Sequence, residues 1–83
     1  MNMTKEDLMD LIKYCNTQRH NDERVIRRIK RNYKGIMERY NQIPKELISE
    51  DGIMSPDEEI QMLVDSKAKA TILKKKLQLE LRK

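Results

Sequence analysis

Leu8, Ile12, Cys15, Ile26, Ile29, Tyr33, Ile36, Tyr40 and Ile43 follow alternating spacings of four and three residues. The two intervening positions of that series, Arg19 and Asp22, are polar. A 4-3 repeat keeps one stripe of a helix apolar, so the opening half of the chain reads as a helix that packs along one side. Thr4, followed by Glu6 and Asp7, supplies a hydroxyl N-cap and acids for its first turn. The register resumes unchanged after residues 16–22, which predicts one long helix from about residue 4 to about 42. The competing reading is two helices broken at Asn16–Asn21, because NTQRHND is rich in side chains that compete for backbone hydrogen bonds. Arg19 and Asp22, if carried in a helix–helix seam, would fix its register at some cost in stability.

Pro44 forces the residue before it out of the helical region and ends this segment. Lys45–Ile48 has room for one short turn, and Ser49-Glu50-Asp51-Gly52 is a turn signal with Gly52 free to take positive φ. Ser55-Pro56-Asp57-Glu58-Glu59 then combines an N-cap serine, proline at the first helical position and three acids. A second helix is expected over 56–81, after a connector of about 43–55. Its apolar positions, Ile60, Leu63, Val64, Ala68, Thr71, Ile72, Leu77 and Leu81, form a broad, irregular stripe. Lys67 and Lys74 fall in the simplest heptad seam, which argues against a long regular zipper. The expected fold is all-α: an antiparallel helical hairpin, one small domain over 1–83, self-associating through coiled-coil-like packing. Such a hairpin would bring Lys74, Lys75 and Lys76 alongside Glu6, Asp7 and Asp10.

Composition supports self-association. Only 37% of the 83 residues are hydrophobic, 39% are charged, and Trp and Phe are absent. A core must come from aliphatic side chains, and polar helices of this length draw little stability from propensity alone. The net charge of +4 is segregated: residues 1–18 carry −1, 19–44 carry +5, 45–66 carry −6 and 67–83 carry +6. A single cysteine precludes an internal disulfide and fits a reducing compartment. The start of the chain lacks the pattern of a secretion signal, and no run approaches a membrane span. A cytoplasmic location is expected.

Enzyme chemistry finds no support in the residues present. Cys15 and His20 would lie about 140° apart on a helix, too far round to form a nucleophile–base pair. Cys15 reads as a small core residue and His20 as a solvated one. One histidine and one cysteine make no zinc site. A calcium loop centred on Gly52 would put Leu47 where the first aspartate ligand belongs. No glycine-rich phosphate loop exists, and no cofactor is expected.

What remains is charge. Arg24, Arg27, Arg28, Lys30, Arg31 and Lys34 lie within eleven positions, and Arg24, Arg28, Arg31 and Arg39 stack along the side opposite the apolar stripe. Guanidinium groups match phosphate oxygens in planar, bidentate fashion, so this face suits nucleic acid or an acidic protein surface. Gly35, mid-helix beside the arginines, would let a phosphate or another backbone approach closely. The candidate binding residues are Arg24, Arg27, Arg28, Arg31, Lys34 and Arg39. Ile26, Ile29, Tyr33, Ile36, Tyr40, Leu63 and Leu77 are the candidates for partner or oligomer packing.

The first expectation is a small non-enzymatic regulator that binds nucleic acid. RNA is favoured over DNA because no helix-turn-helix spacing is visible. The alternative is a protein-binding inhibitor, antitoxin-like factor or phage accessory protein that docks a helical surface onto a partner. In its short, Lys/Asn/Ile/Met-rich composition the chain resembles small regulatory or counter-defence proteins of bacteriophages and low-GC bacteria.

Overall fold

The computed structural model of the chain describes residues 3–83, and these are helical almost throughout, with no strand. Four helices follow in order: α1 (Lys5–Arg31), α2 (Tyr33–Gln42), α3 (Lys45–Asp51) and α4 (Pro56–Leu81). The termini follow the local chemistry. The Thr4 side chain accepts from the Asp7 N–H, and the Asp7 carboxylate accepts from the Thr4 N–H in return, a closed capping box. Ser55 accepts from the Glu58 N–H, with Pro56 as the first helical residue of α4. Ile43 is extended ahead of Pro44, as proline demands.

Residues 16–22 continue α1 without interruption, so the polar interval is helical. The single helix expected over 4–42 is divided elsewhere, at Asn32, whose φ of −106° and ψ of 18° leave the helical region. Its N–H still donates to the Arg28 carbonyl (3.2 Å), and its own carbonyl still accepts from the Ile36 N–H (3.0 Å). The Asn32 side-chain amide also donates to the Arg28 carbonyl, at 3.3 Å. A side chain that shares the i−4 carbonyl bends a helix without severing it. The expected connector also gains structure: α3 occupies seven of its residues and ends at Gly52, which adopts φ 63°. That left-handed conformation closes the turn through the Ile53 N–H to the Ile48 carbonyl (3.2 Å).

Most interhelix contact lies between α1 and α4, with a smaller contribution from α2 against α4. The pairings run in opposite chain order. Leu8 and Cys15 cluster with Leu77 and Ala70, Glu23 reaches Lys67, and Tyr33 reaches Asp57. On α4 the facing positions are Pro56, Ile60, Leu63, Lys67, Ala70, Lys74, Leu77 and Leu81, each buried or half-buried. These form an unbroken 4-3 series. Lys67 and Lys74 therefore sit within the seam, which they do not end; long lysine stems cover apolar surface while the ammonium reaches outward.

The seam has two apolar ends and a polar middle. At one end Leu8, Cys15, Ala70 and Leu77 form the buried cluster, flanked by Met3, Leu11, Ile12 and Leu81. Cys15 is 2% exposed and Leu77 1%, which gives the cysteine the core place expected of it. At the other end α1 buries Ile26 and Ile29. Between them lie Arg19 and the buried Asp22, then Glu23 and Lys67. Asp22 accepts one hydrogen bond, from the Gln18 side chain at 3.3 Å. Its second carboxylate oxygen and the Arg19 Nε are buried without a partner. Such groups cost stability, so this layer adds little strength to the seam.

Lys67 Nζ donates to Glu23 at 2.6 Å, and Arg27 Nε donates to the other oxygen of the same carboxylate at 3.2 Å. The Lys67 hydrogen bond, followed by its positive charge, holds the Glu23 carboxyl below its ordinary value of 4.5. A depressed carboxylate stabilises the fold fully above that ordinary value and loses its contribution as pH falls through the folded one. We expect Glu23→Gln to flatten the acid side of stability, read as melting temperature from about pH 7 down to about pH 3. The ion pairs expected between Lys74–Lys76 and Glu6, Asp7 and Asp10 do not form among the described residues. No helix among them is long and apolar enough to cross a membrane.

Candidate functional site

Buried Ile26 and Ile29 turn the opposite side of α1 to solvent, and that side carries the arginines. Arg24, Arg27, Arg28, Arg31, Lys34 and Arg39 are all exposed. Among the described residues only Arg27 of this set pairs with a carboxylate, that of Glu23. The other five are available to an outside anion.

The bend at Asn32 gives part of this face a shape. Arg28, Arg31, Lys34 and Arg39 rim an open cleft of 610 Å³ whose remaining lining is Ile29, Asn32, Gly35 and Ile36. Four of its eight lining residues are basic, and none is a carboxylate. Arg24 lies on the same face but outside the cleft. Arg27 belongs to a second depression with Asn16, Arg19, His20, Glu23 and Lys67, where a carboxylate already serves the cations. The six arginines and lysines named from sequence thus divide into four that converge, one nearby and one engaged.

Gly35 lines the cleft, and a Cβ built there meets nothing within 4 Å. Alanine would be accommodated without strain and would gain about 1 kcal/mol of helix propensity. We expect Gly35→Ala to raise the melting temperature yet weaken anion binding, since the methyl group would fill space above the bare backbone. Paired thermal melts and binding titrations on one preparation check both signs.

The packing candidates separate in the same way. Leu77 is consumed against α1, and Ile26 and Ile29 are also buried within the chain, while Leu63, Ile36 and Tyr40 are half-buried. Half-buried Tyr33 donates its hydroxyl to the Asp57 carboxylate at 2.9 Å, tying the start of α2 to the first turn of α4. That hydrogen bond, ahead of desolvation and the aspartate charge, raises the phenol above its ordinary value of 10.0. His20 is exposed. Sequence reasoning missed Asn32 as the origin of the cleft and the Glu23–Lys67 bond across the seam. Two weak helix formers, Asn32 and Gly35, within four positions were the available signal for the first. Comparison with protein families, with curated proteins and with solved structures finds no match for this chain.

Proposed function

We propose that the chain is a small non-enzymatic regulator that binds the phosphate backbone of nucleic acid, RNA in preference to DNA, through the outer face of α1 and α2. The observation that carries this reading is the set Arg24, Arg28, Arg31, Lys34 and Arg39, exposed and without a carboxylate partner among the described residues, four of them around one cleft. Forked guanidinium donors grouped around one cleft suit phosphate oxygens. No tryptophan or phenylalanine is present to stack on bases. Recognition by this face is then of backbone and shape, with weak dependence on base sequence. The helices belong to a hairpin that presents the face as one side of a rod.

Fluorescence anisotropy with a labelled RNA hairpin, titrated over a range of salt, tests the reading. Five phosphate contacts predict a log–log slope of affinity against salt of about −4. Binding that is absent, or that ignores salt, removes it.

A further inference from the structure

The helix α4 is apolar on two opposite sides. One side is the seam with α1. On the other, Gln61, Val64, Ala68, Ile72, Lys75 and Leu79 recur three or four residues apart, about 180° from Ala70 and Leu77, and every one is exposed. Ile72 is 55% exposed and Leu79 58%, with Val64 also among the exposed large apolar residues. The irregular stripe of the sequence thus resolves into two stripes, of which the fold covers one.

We infer that this outer stripe is the interface for a second copy of the chain, with the two α4 helices packed antiparallel about a twofold axis near Ala68. Three observations select that occupant. The first is area: the chain exposes 6809 Å², against about 5,200 Å² for a compact monomer of its mass. The excess is enough for an interface burying roughly 800 Å² on each partner. The second is charge. Beside the stripe, on one flank, run Glu58 and Asp65 in the first half of α4 and Lys69 and Lys76 in the second, all exposed. A twofold axis perpendicular to the pair brings this flank of one helix against the same flank of the other in reverse, so each acid meets a lysine. Parallel pairing would set this flank against the opposite one, where Thr71 and Gln78 offer it no charge partner. The third is shape: Ala68, small and central, lets the helices approach, with Val64 and Ile72 on either side of it. The assembly is a layer of four helices, with α4 and its copy inside and the α1 helices at the outer edges.

Sedimentation equilibrium of the full chain from about 10 to about 300 µM tests this. The expected mass is twice the 10.0 kDa of one chain. Ile72→Glu should weaken the dimer at least about a hundredfold with unchanged helical circular dichroism, because Ile72 lies outside the seam. A charge exchange tests the orientation without touching an apolar side chain. Asp65→Lys and Lys69→Glu should each dimerise at least about tenfold more weakly, and mixing them should restore association as a heterodimer. A chain that stays at 10.0 kDa throughout leaves the stripe to a foreign partner and overturns the inference. So does a dimer indifferent to Ile72→Glu, or a mixture that fails to associate. None of these substitutions touches the basic face, so the outcome is independent of the nucleic-acid reading.

Discussion

Reversing two charges in the cleft, Arg28→Glu with Arg31→Glu, is expected to weaken RNA binding by more than about a hundredfold while leaving the helices intact. Each phosphate contact through a guanidinium is a charge-assisted hydrogen bond, and losing one costs at least a factor of about ten. Replacement by glutamate adds repulsion from the remaining phosphates, and the salt slope should shrink by about two. Both side chains are exposed and neither takes part in an intramolecular ion pair, so the fold loses little. Some loss is expected, because both lie in the last turn of α1, where cations favour the helix dipole by a few tenths of a kcal/mol. A control with the same change in net charge, Lys45→Glu with Lys83→Glu, separates the local face from the overall field. These residues lie off the basic face, and their reversal should cost less than about tenfold. Equal losses in the two double variants would mean that the arginine face is not the binding surface.

The largest effect on stability is expected at Leu77. It is the most buried large side chain, 1% exposed, and it closes the cluster that holds the far end of α4 against the start of α1. Leu77→Ala removes that side chain and leaves a cavity, at a cost of about 3 kcal/mol. A domain of this size has roughly 4–12 kcal/mol in all, so the loss is a large share of it. The buried apolar set is small: Leu8, Cys15, Ile26, Ile29, Ala70 and Leu77. Urea denaturation followed by circular dichroism should show an earlier midpoint with an unchanged slope. The exposed Leu79→Ala, two residues along and on the outer stripe, should cost far less in a monomer; a comparable shift would mean that the core has been misplaced.

Much of this architecture was legible in the chain itself, for reasons that can be traced to particular residues. The ends of α4 were marked by local chemistry: Ser55, Pro56 and three acids at one side, and the last apolar position, Leu81, at the other. The helical continuity of residues 16–22 was visible in the register shared by Leu8, Cys15 and Ile26 across a polar interval. The bend at Asn32 was not, because periodicity is preserved through a bend that keeps its i−4 hydrogen bonds. Nor was the division of α4 into two apolar sides. Which stripe faces α1 depends on which partners lie opposite, and Lys67 was discounted because Glu23 could not be placed beside it from sequence. The basic face was legible as charge, but its convergence into a cleft required the backbone to turn.

The seam lysines have a consequence for alignment. Lys67 and Lys74 stand one heptad apart, so sliding α4 by seven residues, about 10 Å, would bring Lys74 to Glu23 and preserve that contact. The ion pair alone therefore admits two settings of the ladder. The tether between α2 and α4 chooses between them: Pro44, the short α3 and the left-handed Gly52 consume its slack, and the Tyr33–Asp57 latch engages in only one setting. Splicing a heptad of flexible residues into that tether would leave the choice to the Leu8–Cys15–Ala70–Leu77 cluster, which only the native setting assembles.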